Sequence, residues 1–279
     1  MVLTPIKKIR KSLKNKIPGE YIRKIPTKWE LNGNILIIKL DEKLKEYDAV
    51  IGESYSDILG CKTILNDIGS IKGEFRKPNV EVIYGSNNTE TIHKENGIKF
   101  KLDPQKIMFS SGNMSERIFM SKVDCKNETI IDFFAGIGYF TLPLAVYCKP
   151  KKIFACEKNP VAFKYLKENI VLNHVSSIVE PLRGDNREIA PENIADRIIM
   201  GYIGGTEKYF SKAIKCLRDN KGIIHFHEKY SEKKPLGDLA KKFEKKVKKF
   251  NREIKLIDIR NIKSYAPGIS HFVFDLEII

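Results

Sequence analysis

The stretch "IIDFFAGIGYFTLPLA" (130–145) constrains this chain more than any other. An apolar run reaches an acid, then Gly136-Ile137-Gly138, then a second apolar run. That pattern is a strand turning tightly into a helix, the junction where open α/β sheets hold nucleotides. Glycine at 136 and 138 lets the backbone approach a ligand where a Cβ would collide. The helix start behind them adds N–H groups with no partner inside the helix. A dinucleotide fingerprint wants a third Gly or Ala three residues after the second. Thr141 stands there with Pro143 close behind, which disfavours NAD. Nor does the Lys-Ser/Thr of a phosphate-binding P-loop follow.

From residue 128 onward strands and helices alternate. "TIIDFFA", "KIFACE", "IVEPLRGD", "DRIIMGYI" and "GIIHFHEKY" read as strands, and "FTLPLAVYC", "PVAFKYLKENIVLN" and "KYFSKAIKCLRD" as helices. Such alternation implies a mostly parallel sheet covered on both faces. After a Lys-rich helix, "EIKLIDIRNIKSYAPGISHFVFDLEII" holds two strands with no helix between them. The predicted fold class is therefore α/β: a class I methyltransferase-like, doubly wound sheet closing on an antiparallel C-terminal hairpin, plus a small N-terminal α+β domain. In "KKFEKKVKKFNR" (241–252) and just before it, Leu239, Phe243, Val247 and Phe250 share one helical face, which assigns the lysines to solvent.

The expected division is a basic arm over 1–27, the α+β domain over 28–106 and the larger domain over 107–279. Within the second, "GNILIIKL" (33–40) reads as a buried strand, "YSDILGCKTILNDIG" as a helix, and "VEVIYG" and "IKFKLD" as short strands. "MSERIFMSKV" (114–123) reads as a helix leading into the third.

The strand tips carry the chemistry. Glu157 ends the second strand of the larger domain, where a carboxylate can accept both hydroxyls of an unphosphorylated ribose. The third ends in "RGDNRE", placing Asp185 and Asn186 where an adenine edge would lie, one to accept from the exocyclic amine and the other to contact the ring. Taken in order at successive strand ends, these residues point to S-adenosylmethionine as cofactor. His225 and His227 sit on the fifth strand, one expected in the core and one at the pocket rim, with no metal role.

The 279 residues hold 50 Lys and Arg against 35 acids, a formal charge of +15, which favours a polyanionic partner such as nucleic acid. The five cysteines are scattered with no C-x-x-C pair, so neither zinc nor a disulfide framework is expected. No apolar run is long enough to span a bilayer. The basic N-terminus lacks the apolar core of a secretory signal, and a cytoplasmic protein is expected.

"LDPQKIMFSSGNMSER", "DFFAGIGYF", "CEKNP", "GDNRE" and "KSYAP", with the earlier "IGSIKGEFRKPNVEVIYG" and "TIHKENGIKF", resemble one tRNA-modifying family from about residue 30 to the end. It contains the tRNA guanine-N1 methyltransferases acting beside the anticodon and the wybutosine-synthesising aminocarboxypropyltransferases. The methyltransferase branch carries an Asn-Leu-Pro type motif after the fourth strand, whose Asn can hold the target base. Gly201-Tyr202-Ile203 stands there instead, which resembles the aminocarboxypropyl branch, whose archaeal members act on tRNA-Phe. The resemblance implies that Ser110 and Arg117 line the methionine end of the cofactor, Arg117 through its planar fork. It also implies Phe134 and Gly136 as cofactor contacts, and Arg76 and Glu116 as catalytic positions, Glu116 matching the proposed general base of the methyltransferases.

The expected activity is transfer of the 3-amino-3-carboxypropyl group to a tricyclic wybutosine precursor beside the tRNA-Phe anticodon, releasing methylthioadenosine, by a monomer that needs no metal or membrane. The rivals are guanine-N1 methylation at the same position and a nucleic-acid-binding module without catalysis.

Overall fold

The computed structural model describes residues 3–69, 73 and 75–279, and of Ala240 the backbone alone. Residues 1 and 2 of the expected arm, and 70–72 and 74 of the quoted "IGSIKGEFRKPNVEVIYG", lie outside this set. The chain divides into two compact units, Met1–Ser111 and Gly112–Ile279. The division thus falls after Ser111, where the sequence reading placed it after residue 106.

The basic segment expected as an arm belongs to the core of the first unit. Helix α1 (Pro5–Leu13) buries Ile9 and Leu13, and Ile17 and Ile25 follow them into the same cluster. Lysines at 7, 8, 11 and 14 stay exposed, so the charge that marks the segment lies on one face of a structural helix. Strands β1 (Glu30–Asn32) and β2 (Ile35–Ile38) precede α2 (Asp48–Leu59), β3 (Thr63–Asp67) and β4 (Val80–Tyr84). They form one sheet in the order β1-β2-β3-β4. Strands β5 (Thr91–Glu95) and β6 (Ile98–Leu102) make a separate hairpin through Asn96-Gly97, both at positive φ.

The predicted helix over "YSDILGCKTILNDIG" is half right. Gly60 takes the left-handed conformation (φ 71°) and its N–H donates to Ser56 O at 2.8 Å, ending α2. The β-branched run behind it pairs with β2 as β3, buried from Thr63 to Asn66. Trp29 packs edge-on against Tyr55, with ring centroids 6.1 Å apart.

The second unit opens with α3 (Met114–Met120), three residues shorter than the sequence reading. There follow β7 (Thr129–Asp132), α4 (Thr141–Pro143, continued by a π-helical turn over Leu144–Cys148), β8 (Lys152–Glu157), α5 (Pro160–Leu172), β9 (Val179–Arg183), α6 (Asn186–Ile189) and β10 (Arg197–Met200). Then come α7 (Phe210–Cys216), β11 (Gly222–Ser231), α8 (Asp238–Lys248), β12 (Ile254–Ala266) and β13 (Ile269–Ile278). Seven strands form one sheet in the order β12-β13-β11-β10-β7-β8-β9. The five from β11 to β9 are parallel, and β13 and β12 run antiparallel at the edge.

This is the doubly wound sheet with a closing antiparallel pair that the alternation predicted. Its core joins Ile131, Ile198 and Met200 to Phe210, Phe226, Phe243 and Phe274. Helix α8 supplies Leu239, Phe243 and Val247 to that core, while Lys242 and Lys246 pair with Glu207. Among the described residues no helix is long and apolar enough to cross a membrane, and no group of three or more His, Cys, Asp or Glu could hold a metal.

Candidate functional site

The chain runs from β7 outward to β9, then returns to place β10 on the other side of β7. That reversal opens a crevice beyond the C-terminal ends of β7 and β10, the place where doubly wound sheets take ligands. The turn after β7 is built around Asp132, which is completely buried. Its carboxyl accepts from Phe134 N–H at 3.1 Å and from the Thr141 hydroxyl at 2.8 Å. Thr141, at the position of the fingerprint's third glycine, thus ties the helix start to the strand end. Burial pushes Asp132 up to about 7, against the pull of those hydrogen bonds.

The glycines serve this turn from within. Gly136 has φ 59°, and a Cβ there would lie 2.5 Å from the Tyr139 ring; Gly138 has φ 103°, and a Cβ would meet Leu142 at 2.7 Å. The sequence reading reserved that space for a ligand, but what fills it is the chain's own packing. Gly136 N–H, freed to point outward, donates to Glu157 Oε2 at 2.8 Å, and Asn159 N–H donates to Oε1 at 2.6 Å. Glu157 is therefore fixed at the tip of β8 by two backbone donors, and burial raises its carboxyl despite them.

The tip of β9 divides its two residues. Asp185 caps α6 by accepting from Arg187 N–H at 3.0 Å. The Arg187 side chain then grips it through Nε at 2.9 Å and an amino group at 2.6 Å. That pairing, outweighing burial, holds Asp185 down to about 2. The carboxylate expected to accept from adenine thus also accepts from its cap and from Arg187. Asn186 is buried at 5% exposure, and its amide donates to Phe133 O at 2.9 Å. Its Oδ1 has no partner among the described residues, a buried acceptor that a base edge can satisfy.

Sequence reading missed the aromatic wall. Phe134 stacks on Tyr202 at 5.1 Å and meets Tyr209 edge-on at 5.0 Å. The Arg187 guanidinium lies over the Tyr209 ring at 5.2 Å. Tyr202 was legible only as a departure from the methyltransferase motif, not as a ring that would pack on Phe134. Arg117, on α3, is buried at 3% exposure. Burial pushes the Tyr139 phenol up, with the Arg117 charge opposing and the Glu157 carboxylate adding to the rise, so these three groups share one electrostatic neighbourhood.

Glu116, the neighbour of Arg117, takes part in a different arrangement. Both its oxygens accept from Arg260 at 3.0 Å. Arg260 also grips Asp275 at 2.6 and 2.9 Å and lies over the Phe119 ring at 3.7 Å. Asp275 in turn bonds His225 Nδ1 at 2.6 Å, and His225 Nε2 meets Arg197 at 2.8 Å. His225 and His227 are both buried, correcting the expectation of one core and one rim residue. Two residues apart on a strand they share a face, and that face is covered.

Ser110 and Arg76 belong to the first unit. Ser110 is half-buried just before its end, and Arg76 is half-buried in a turn, with φ 52° and its N–H donating to Gly73 O at 3.1 Å. The second unit thus brings together Arg117, Phe134, Gly136, Glu157, Asp185 and Asn186, and it holds Glu116 on Arg260.

A crevice of this kind, on a parallel sheet that ends in an antiparallel pair, marks the class of transferases that take their group from S-adenosylmethionine. The chain belongs to the TRM5/TYW2 family: residues 91–256 match the TRM5/TYW2 methyltransferase domain, and 9–89 match the TYW2 N-terminal domain. It is 42% identical over 271 residues to the tRNA(Phe) (4-demethylwyosine(37)-C(7)) aminocarboxypropyltransferase of Pyrococcus horikoshii, covering 97% of this chain and 96% of the relative. The crystal structure of P. horikoshii TYW2 in complex with MeSAdo superimposes with a TM-score of 0.87 at 40% identity, covering 98% and 99% of the two chains. The tRNA (guanine(37)-N(1))-methyltransferase Trm5b of Pyrococcus abyssi is 38% identical over 263 residues, covering 94% of this chain and 78% of the relative.

Proposed function

We propose that this chain transfers the 3-amino-3-carboxypropyl group of S-adenosylmethionine to carbon 7 of 4-demethylwyosine beside the anticodon of tRNA-Phe, releasing methylthioadenosine. The sulfonium activates the carbons bonded to it, and alignment with the nucleophile decides which one is transferred. The observation that carries the choice over guanine methylation is the end of β10, where Gly201-Tyr202-Ile203 replaces a motif able to hold a guanine. The near-complete match to the P. horikoshii relative supports the same choice.

Each residue then has work. Glu157, fixed by two backbone N–H groups, accepts from the ribose hydroxyls. Phe134 offers its ring to the adenine and Asn186 Oδ1 accepts from its exocyclic amine. Asp185 acts one step back, by capping α6 and so setting Asn186. Arg117 holds the methionine carboxylate through its planar fork. Glu116 anchors α3 through Arg260, whose guanidinium takes both of its oxygens. The net charge of +15 suits the tRNA, and the enzyme works in the cytoplasm as a monomer.

Two experiments check this reading. Precursor tRNA is incubated with S-adenosylmethionine labelled either in the methyl group or in the carboxyl-bearing arm. Label is expected in RNA from the arm alone, and label from the methyl alone would establish methylation. In calorimetry, Glu157→Ala is expected to weaken S-adenosylmethionine binding by roughly 1–3 kcal/mol through lost charged hydrogen bonds. An unchanged affinity would remove Glu157 from the site.

A further inference from the structure

Tyr265 stands near the tip of the β12–β13 hairpin and is 47% exposed. Ser264 pairs with Ser270 and Ala266 with Ile269, so Tyr265 between them has no partner on β13, a β-bulge. Bulges blunt the open edge of a sheet, and β12 carries two more, at Ile257 and Ile262. Blunting an edge needs no aromatic ring. A bulge also re-aims its side chain, a device frequent beside active sites. The Lys229 ammonium, reaching from β11 across β13, lies 4.9 Å from the centroid of the Tyr265 ring.

Both residues adjoin segments already assigned to the site. The Lys229 stem lies 3.4 Å from where a Cβ on Gly204 would stand, and Gly204 N–H donates to Glu228 Oε1 at 3.0 Å. Gly204 comes directly after Gly201-Tyr202-Ile203, where the target-base motif is replaced. Lys263, two residues before Tyr265, lies across Gly112, where a Cβ would meet its Cδ at 2.8 Å. Gly112 leads into α3, which carries Arg117. The end of β11 exposes Lys229, Lys233 and Lys234 against Glu232. Glu228 there is half-buried and accepts from two backbone N–H groups, those of Gly204 and Lys229.

An exposed ring beside an excess of lysines fits single-stranded RNA, whose bases offer π faces and whose phosphates offer charge. The proposed tRNA reaction, on which this inference rests, creates the need. A ring carbon can meet the sulfonium carbon in line only when its base has left the stack. Each neighbouring base then loses a stacking partner. We propose that Tyr265 stacks on a nucleotide flanking the target and takes the place of the withdrawn base. The Lys229 charge steadies the ring and draws in the adjoining phosphate.

Transfer kinetics with the carboxyl-arm label, and gel-shift titrations with tRNA, test this. Tyr265→Ala is expected to raise KM and Kd for tRNA by about tenfold or more, with S-adenosylmethionine affinity in calorimetry within about twofold of wild type. Tyr265→Phe is expected to recover most of that loss, because stacking needs the ring and not the hydroxyl. Lys229→Gln is expected to weaken tRNA binding by a smaller factor and to lower its salt slope by about one. In an anticodon stem-loop, 2-aminopurine is placed on either side of the target in turn. At one of the two positions it is expected to be quenched by the wild type and bright with Tyr265→Ala. Unchanged tRNA binding in Tyr265→Ala, or a Tyr265→Phe as weak as the alanine variant, would overturn the platform alone. So would equal 2-aminopurine signals from the wild type and Tyr265→Ala at both positions. A wild type that bound no tRNA would bring down the functional reading itself, and the wild-type titration identifies that outcome.

Discussion

Arg260→Leu is expected to destabilise the second unit by about 3–5 kcal/mol, the cost of leaving buried charges without their partner. The guanidinium holds Glu116 on both oxygens at 3.0 Å and Asp275 at 2.6 and 2.9 Å, and Glu116 is only 1% exposed. Although burial opposes it, His225 and Arg260 keep the Asp275 carboxyl far below the usual carboxylate range. Removing Arg260 thus strands Glu116 and leaves Asp275 with His225 alone, and adding Glu116→Gln is expected to recover part of the loss. Denaturant melts of the single and double variants check this. A loss under about 1 kcal/mol would mean that water reaches both carboxylates.

Asp132 is expected to make stability fall as pH rises. The folded protein keeps that proton up to about pH 7, whereas the unfolded chain releases it near 3.8. Between those values the native state binds more protons, so its stability declines with pH, by about 4 kcal/mol over the window. Asp132→Asn cannot titrate. The stability difference between variant and wild type, measured from pH 3 to 8, is expected to move in the variant's favour through that window and level off above it. Taking the difference cancels the opposite contributions of Asp185 and Asp275, which are lost as pH falls. A difference that stays constant would show that Asp132 releases its proton at the same pH in the folded and the unfolded chain.

How much of this was legible beforehand depends on how far apart the partners lie in the chain. Strand-to-helix alternation and the two glycines are local signals, and they located the crevice, its turn and Glu157 directly. Gly60 was a local signal read past, so one helix was drawn over what is a helix and a strand. Asp132 and Thr141 stand nine residues apart on either side of the turn, and their bond appears only when it closes. Glu116 and Arg260 are separated by 144 residues, so no spacing in the sequence connects them. Asp185 was placed correctly at its strand tip, but the cap it provides for α6 turned it toward Arg187. For His225 and His227 the period of two along a strand already places both side chains on one face.

The edge-on contact of Trp29 with Tyr55 gives the protein a built-in optical reporter. Trp29 is the chain's one tryptophan and lies in the first unit, whereas Arg260, Asp132 and the strand-tip residues all lie in the second. Its fluorescence follows the first unit alone, while circular dichroism sums both. Comparing the two signals during one titration measures whether damage to the cofactor-holding half spreads to the other, with no dye or label attached.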